Sequence, residues 1–336
     1  MPGLRTITTI DAHAAGEPLR IVTAGLPPLP GATMLARRQA MLAHHDDLRR
    51  ILMWEPRGHA DMYGCILTPP VTPEAAYGVL FMHNAGYSTM CGHGIIALTT
   101  VLLETGQLPC AEPVTEVGYD TPAGFVLACA QIEGGRVCRV TFRNVPSFVH
   151  TAGLRIVIDG EPVVVDVVFG GAFYALVEAT ALDVHLMIRP EHVTELIARG
   201  MAVKHAVEAA TAIIHPTEPE LRGIYGTIIT GPADGAGARH RNVTVFAEGE
   251  VDRSPCGTGT AATTAAFVAR GILAIGDEWV NESIIGTHFS GRAIEETRVG
   301  GYPAIILDVG GRGFITGYHT FILDPEDEAG RGFLVR

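Results

Sequence analysis

Short runs of hydrophobic and β-branched residues, separated by glycine, proline and asparagine, dominate this chain. Such runs are typical of β-strands joined by turns. They predict strands at 4–13, 20–26, 63–70, 77–84, 136–145, 155–171, 172–179, 224–232, 242–250, 304–311 and 314–323. Helical periodicity is less frequent and predicts helices at about 34–52, after Cys91, at about 190–211 and after Cys256. Because the strands come in runs, without regular alternation with helices, the pattern predicts a mainly antiparallel α+β architecture.

Two of these predicted helices begin with the same unusual pattern, a cysteine next to glycines. Cys91 lies in YSTMCGHGIIALTTVLLETG and Cys256 lies in VDRSPCGTGTAATTAAF, and both motifs read C-G-x-G. Each helical segment stops at a glycine, Gly106 or Gly271, as helices often do. The cysteines are 165 positions apart in a chain of 336 residues. This spacing predicts two related halves, each with a cysteine at the start of a helix.

Length and composition favour a soluble protein of two domains. The chain has 336 residues, of which 47% are hydrophobic, enough for a large core. The N-terminus lacks the regions of a signal peptide, and no hydrophobic run reaches membrane-spanning length. The six cysteines are scattered without close pairs, which argues against a disulfide framework. We therefore expect a cytoplasmic protein.

The charged residues narrow the class of partner. A net charge of −12 argues against a general nucleic-acid surface, which needs clustered lysine and arginine. Lys204 is the only lysine and lies in an amphipathic helical stretch. Pyridoxal phosphate forms a Schiff base with an active-site lysine, so this chemistry is disfavoured. We expect an enzyme that acts on a small molecule without a cofactor.

The repeated motif indicates acid and base chemistry by thiols. The first N–H groups of a helix have no partner within the helix and carry the positive end of its dipole. This position attracts a substrate carboxylate, and it lowers the pKa of a thiol so that thiolate exists near neutrality. One thiolate and one thiol together remove a proton from one face of a carbon and return a proton to the other face. This is racemisation or epimerisation.

Other interpretations of the cysteines are structural or metal-binding. Free cysteines usually pack as small hydrophobic residues, and this is the interpretation for Cys65, Cys110, Cys129 and Cys138. Zinc could be held by Cys91, His93 and Cys256, but the motif lacks a fourth ligand or a spaced pair. We therefore expect no metal site.

The motifs MCGHG and DRSPCGTGT, together with DAHAAGEPLRIV, resemble the signature stretches of the proline racemase family. The resemblance runs from the N-terminus to FLVR. It implies a diaminopimelate-epimerase-like fold, with two pseudo-symmetric α+β barrels, each around a central helix, and an active site in the cleft between them. The implied domains are residues 1–148 with 322–336, which carry Cys91, and residues 149–321, which carry Cys256. Members of the family tend to be homodimers, which implies a homodimer here.

The resemblance also implies roles for individual residues. Cys91 and Cys256 correspond to the two acid/base thiols. The positions that match substrate-binding residues of the family are Gly92, His93, Asp252, Gly257 and Thr258.

The substrate implied by the resemblance is a proline derivative. The family includes proline racemases, 4-hydroxyproline 2-epimerases and trans-3-hydroxy-L-proline dehydratases. EPRGHADMYG, FMHNAGYSTMCGH and GYHTFILDPEDEAGRGFLV resemble the dehydratase branch most closely. That branch commonly has threonine in place of Cys256, and a second thiol should restore reprotonation on the opposite face. We expect a trans-3-hydroxy-L-proline dehydratase that also epimerises C2, with a 4-hydroxyproline 2-epimerase or proline racemase as the alternative. A binding protein for imino acids is a further alternative, although a binder needs no thiols.

Overall fold

Strands make up most of the structure, a computed structural model that describes residues 4–335. The chain divides into two compact units, residues 4–140 with 312–335 and residues 141–311. The domain boundaries implied by the resemblance stay a prediction, and residues 1–3 and 336 of the first predicted domain lie outside the described residues. None of the described helices is both long enough and apolar enough to cross a membrane.

The elements are numbered in chain order. They are β1 (Arg5–Ala14), β2 (Glu17–Ala24), α1 (Met34–His44), α2 (Asp46–Met53), β3 (Tyr63–Thr68), β4 (Tyr77–His83), β5 (Tyr87–Ser88), α3 (Gly92–Glu104), β6 (Val114–Thr121), β7 (Gly124–Glu133), β8 (Arg136–Arg143), β9 (Ser147–Ile158), β10 (Glu161–Phe169), β11 (Phe173–Glu178), α4 (Ala179–Leu182), a 3₁₀ turn (Pro190–His192), α5 (Val193–Ala210), β12 (Gly226–Gly231), β13 (His240–Phe246), β14 (Glu250–Asp252), α6 (Gly257–Ala269), β15 (Glu278–Glu282), β16 (His288–Val299), β17 (Tyr302–Gly311) and β18 (Gly313–Leu323).

In the first unit, strands pair in the order β18, β1, β2, β3, β4, β6, β7. The β2/β3 and β4/β6 pairs are parallel and the others are antiparallel. The short strand β5 pairs with β4 and ends just before Cys91. Helix α3 packs against β1, β2, β7 and β18, which positions its N-terminus beside the strands of this unit.

In the second unit, strands pair in the order β9, β10, β11, β12, β13, β15, β16, β17. Strand β17 pairs back to β9, so this sheet closes into a barrel without free edges. The β11/β12 and β13/β15 pairs are parallel. The short strand β14 pairs with β13 and ends at Asp252. Helix α6 packs against β9, β10, β11, β16 and β17.

Helices α3 and α6 are buried along nearly their whole length. A helix that is apolar on every side is stable only when protein surrounds it, and both helices consist mainly of glycine, alanine, threonine and aliphatic residues. Thr99 and Thr264 donate their hydroxyl groups to carbonyls four residues earlier, which gives these buried hydroxyls an acceptor within their own helix. Both helices end at the predicted glycines. Gly106 and Gly271 have φ of +71° and +69°, the left-handed cap conformation.

The helical segment predicted at about 34–52 is confirmed as helical, but it is divided into two helices. His45 ends α1, with its N–H bonded to the carbonyl of Met41, and α2 follows directly. Asp46 and Asp47 occupy the first turn of α2, where carboxylates stabilise a helix N-terminus. These two acidic residues were a local sign of a second helix start.

Several strands were missed, among them β6, β7, β15 and β16. Polar residues interrupt the hydrophobic pattern of β6, β15 and β16, whereas β7 has an unbroken apolar run from Phe125 to Ala130. Strand β9 begins at Ser147, earlier than the predicted strand at 155–171, and continues through Gly153. Partner strands supply the hydrogen bonds that stabilise these segments, and the pattern of a single segment does not reveal its partners.

Candidate active site

Cys91 precedes helix α3 and caps its N-terminus. Its backbone is extended, with φ −144° and ψ 111°, and its Sγ accepts a hydrogen bond from the Gly94 N–H at 3.2 Å. The sulfur thereby satisfies one of the N–H groups that have no partner within the helix. A Cβ added to Gly94 would lie 2.9 Å from this Sγ and 2.4 Å from Cε1 of Phe81. Glycine at position 94 therefore leaves the space that the sulfur occupies.

His93 contacts the same sulfur from the first turn of α3. Its Nδ1 lies 3.2 Å from Cys91 Sγ, and its Nε2 lies 3.3 Å from the carbonyl oxygen of Pro18. A carbonyl oxygen only accepts, so the bond to Pro18 requires a proton on Nε2, and in that tautomer Nδ1 is the acceptor that faces the thiol. The ring of Tyr63 meets that of His93 edge to face at 4.8 Å, and its hydroxyl bonds to Ser88 Oγ. The buried Cys91 thiol thus has a neighbour that can accept its proton.

Cys256 caps helix α6 in a different backbone conformation. Its φ is +60° and its ψ is 113°, a region that residues with a Cβ rarely adopt, and its Sγ accepts the Gly259 N–H at 3.2 Å. Strain of this kind costs roughly 1–3 kcal/mol and persists where the surroundings hold it. Here the Nδ2 groups of Asn242 and Asn281 both donate to the carbonyl of Pro255, at 2.9 and 3.2 Å. These buried amides fix the backbone directly before Cys256.

Two hydroxyl groups lie beside the Cys256 sulfur. Thr258 Oγ1 is 3.6 Å from Sγ, the Tyr174 hydroxyl is 3.9 Å from Sγ, and these oxygens are 2.6 Å apart. All three side chains are buried. The backbone N–H of Cys256 donates to Ser254 Oγ at 3.1 Å. The sulfur is therefore surrounded by groups that donate hydrogen bonds.

Asp252 is a buried carboxyl group at the end of β14. Its Oδ1 accepts hydrogen bonds from the N–H and the hydroxyl of Ser254, at 2.8 and 2.7 Å. Burial raises the pKa of this carboxyl to about 6, although the hydrogen bonds from Ser254 and the Cys256 thiol and the charge of Arg253 act in the opposite direction. A buried carboxylate of this kind gains stability from an added cationic N–H donor, such as a protonated amine.

Cys256 corrects one prediction about the thiols. A helix start was expected to lower the pKa, but burial, together with the nearby charge of Asp252, raises the pKa of Cys256 to about 12. Hydrogen bonds from Thr258 and the Gly259 N–H lower it, but desolvation of the thiolate outweighs them. Cys256 is therefore a protonated thiol near neutral pH.

Comparison with known proteins identifies the family of this chain. The family described as proline racemase matches residues 9–334. This chain belongs to the proline racemase family. Among similar members, a protein of Bacillus thuringiensis subsp. konkukian named trans-3-hydroxy-L-proline dehydratase is 47% identical over 331 residues, 98% of each chain. A protein of Burkholderia multivorans named 3-hydroxyproline 2-epimerase is 46% identical over 333 residues, 99% of each chain.

A solved structure extends the likeness to the fold of the proline racemase family. The hydroxyproline epimerase of Agrobacterium vitis, with bound trans-4-hydroxy-L-proline, matches with a TM-score of 0.92 and 34% identity. The match covers 98% of this chain and 96% of the other. The resemblance inferred from the motifs is therefore confirmed, and the chain has the fold of the family, which includes a closed barrel.

The predicted site residues gather in two groups. Cys91, Gly92 and His93 lie at the start of α3 in the first unit. The second group lies at the start of α6 and comprises Asp252, Cys256, Gly257 and Thr258. Their roles in binding and catalysis stay predictions. In residues 4–335, no three His, Cys, Asp or Glu side chains are grouped so that they could hold a metal ion.

The remaining cysteines and the residues around Cys256 show the limits of motif analysis. Cys65 is buried as predicted, Cys129 and Cys138 are half-buried, but Cys110 is exposed, so the packing interpretation was wrong for it. The motifs also missed residues from elsewhere in the chain, namely Tyr174 beside the Cys256 sulfur and Asn242 and Asn281 on the carbonyl of Pro255. Ser254, whose hydroxyl accepts the Cys256 N–H, lies within the motif DRSPCGTGT and could have been recognised from the sequence.

Proposed function

We propose that this chain removes the C2 proton of a hydroxyproline without a cofactor. It dehydrates trans-3-hydroxy-L-proline to Δ1-pyrroline-2-carboxylate and also epimerises C2. The observation that carries the proposal is the pair of cysteines, each of which caps a buried helix and accepts an N–H from its first turn. The names of the similar proteins, a trans-3-hydroxy-L-proline dehydratase and a 3-hydroxyproline 2-epimerase, support the choice of substrate.

The two units are, in this proposal, copies of one barrel module around a helix, α3 in one and α6 in the other. Strand pairing supports this idea, because both units follow the succession antiparallel, antiparallel, parallel, antiparallel, parallel, antiparallel. In both units a short strand, β5 or β14, precedes the cysteine. Duplication of such a module supplies two thiols for one substrate.

Dehydration begins at Cys91, whose thiolate takes the C2 proton. His93 Nδ1 accepts the thiol proton beforehand, and the Gly94 N–H stabilises the sulfur anion. The electrons of the C2–H bond form a C2=C3 double bond while the C3–O bond breaks. The hydroxide leaves as water with the proton that His93 had accepted from the thiol, and the enamine moves its N–H proton to C3. Helix N-termini hold the substrate carboxylate, which stabilises the negative charge that develops at C2.

Epimerisation uses the second cysteine as an acid. Because Cys256 is a protonated thiol near neutral pH, it carries the proton that the opposite face of C2 needs. Asp252 accepts a hydrogen bond from the ring amine and so orients C2. A threonine hydroxyl in place of this thiol is a far weaker acid, which leaves dehydration as the only outcome.

Proton NMR in D2O with trans-3-hydroxy-L-proline tests the proposal. We expect ring signals of Δ1-pyrroline-2-carboxylate together with a second diastereomer that carries deuterium at C2. The Cys91→Ser variant should lose both products, while Cys256→Thr should keep dehydration and lose the diastereomer. Binding of the substrate without any change at C2 in the wild-type protein would refute the proposal in favour of a binding protein.

A 4-hydroxyproline 2-epimerase is the second candidate. The bound trans-4-hydroxy-L-proline in the similar Agrobacterium vitis structure favours it. A 4-hydroxyl is not adjacent to C2, so its loss does not follow C2-proton removal, and epimerisation is the expected result. The same NMR assay with trans-4-hydroxy-L-proline compares the two candidates, since the preferred substrate has the larger kcat/KM.

A further inference from the structure

The Tyr174 hydroxyl forms a closed group with Thr258 and Cys256 inside the second unit. Tyr174 lies on β11, and both other residues lie at the start of α6. The two oxygens are 2.6 Å apart, and each lies within 4 Å of the sulfur, Thr258 at 3.6 Å and Tyr174 at 3.9 Å. The relative exposure of Tyr174 is 0% and that of Thr258 is 3%, so water does not compete for these groups. The shortest contact in this group joins the hydroxyl groups of Tyr174 and Thr258, neither of which carries the reacting proton.

The number of protons on these three side chains determines which group donates to which. Each hydroxyl has one proton and donates it to one acceptor at a time. Burial raises the pKa of Tyr174 well above its ordinary value, so the phenol stays neutral. When Cys256 loses its proton, the sulfur becomes a charged and therefore stronger acceptor. The Thr258 hydroxyl then donates its proton to the sulfur. The oxygen of the same hydroxyl accepts a hydrogen bond from the Tyr174 hydroxyl.

We propose that Tyr174 is a positioning residue for Cys256, because its hydroxyl orients the Thr258 hydroxyl toward the sulfur whenever the sulfur is a thiolate. This inference rests on the proposed function, in which Cys256 gives and recovers a proton. Polarised chains of hydrogen bonds are stronger than separate bonds at low dielectric constant. Tyr174 thus favours release of the proton by Cys256, which burial otherwise opposes.

The first unit offers a matched control. The Tyr119 hydroxyl lies 3.0 Å from Thr99 Oγ1 on helix α3, and Tyr119 is fully buried like Tyr174. Thr99 lies two turns into α3, away from the cysteine that caps it. Tyr119→Phe therefore removes the same kind of buried hydroxyl pair without touching the Cys256 group.

The first experiment measures thiol reactivity and needs no turnover. Wild-type protein, Tyr174→Phe and Tyr119→Phe are treated with iodoacetamide between pH 7.5 and 9.5, and labelling of each cysteine is followed by mass spectrometry. In Tyr174→Phe we expect Cys256 to react about three- to tenfold more slowly at every pH, the effect of one lost hydrogen bond on a thiolate. Cys91 and the Tyr119→Phe variant should react at wild-type rates. An unchanged rate at Cys256, or an equal loss at Cys91, would overturn the proposal.

The second experiment follows 3-hydroxyproline in D2O by NMR and separates epimerisation, in which C2 exchanges its proton, from dehydration. Tyr174→Phe should lower kcat/KM for epimerisation by about three- to tenfold in both directions, because the equilibrium constant between the epimers fixes their ratio, while dehydration, which needs only Cys91, keeps its wild-type kcat/KM. An equal loss of dehydration would indicate a merely structural role and contradict the proposal. If wild-type protein exchanges neither epimer, the proposed function fails, and the labelling experiment still decides the effect of Tyr174 on Cys256.

Discussion

Replacing Asp252 by asparagine should stabilise the protein while it impairs the reaction. The carboxyl is 4% exposed, and burial raises its pKa to about 6 from an ordinary 3.8. Ser254 donates two hydrogen bonds to the Asp252 Oδ1, and the Cys256 thiol also bonds to this carboxyl. An asparagine Oδ1 accepts the two bonds from Ser254 without carrying a charge. The substitution therefore removes the buried charge and keeps the bonds from Ser254.

The magnitude follows from the difference of about two pH units, which corresponds to about 3 kcal/mol. Between pH 3.8 and about 6, the folded chain keeps a proton that the unfolded chain has released. The free energy of unfolding therefore falls as pH rises through this window, and the full deficit is present above it. Asp252→Asn should gain up to about 3 kcal/mol relative to wild type at pH 8 and about nothing at pH 4.

Urea denaturation followed by tryptophan fluorescence measures this difference, since the buried Trp279 lies in the same unit. The control is Asp120→Asn in the first unit, where the carboxylate accepts N–H bonds from Val71 and Thr72. This control should gain no stability at pH 8. In the proposed reaction, Asp252→Asn should lower kcat/KM at least about tenfold, because the amine loses a charged acceptor. A variant that is less stable than wild type at pH 8, or whose gain does not depend on pH, would refute the reasoning.

Three further predictions concern the same site. The kcat/KM of the wild-type protein should fall below about pH 6 as Asp252 takes up a proton, and this limb of the pH–rate profile should be absent in Asp252→Asn. Gly259→Ala should reduce epimerisation at least about tenfold while dehydration persists in NMR assays, because the new Cβ would lie 3.0 Å from Cys256 Sγ. Asn242→Ala should lower the free energy of unfolding by about 1–3 kcal/mol in urea denaturation, because the Pro255 carbonyl loses a buried donor. If Asn242→Ala were as stable as the wild-type protein, the bond from this amide to the Pro255 carbonyl would not stabilise the fold.

Much of the candidate site was predictable from short sequence motifs. Cys91 and Cys256 cap their helices because a cysteine followed by small residues leaves room for a sulfur atom at the first turn. Gly106 and Gly271 end those helices for an equally local reason, the ease with which glycine adopts positive φ. The start of α2 at Asp46 was local as well, but a continuous hydrophobic pattern hid it.

Short sequence motifs therefore predicted the family, the helix starts and the two thiols. Each of these features depends on residues within a few positions of one another. The strained backbone at Cys256 is held by Asn242 and Asn281 on other strands, and its high pKa arises mainly from burial by the residues packed around it. Closure of the second unit depends likewise on β17 meeting β9, which lies more than a hundred residues earlier. Burial and long-range pairing set these properties, because desolvation depends on what surrounds a group in space and not on its neighbours along the chain.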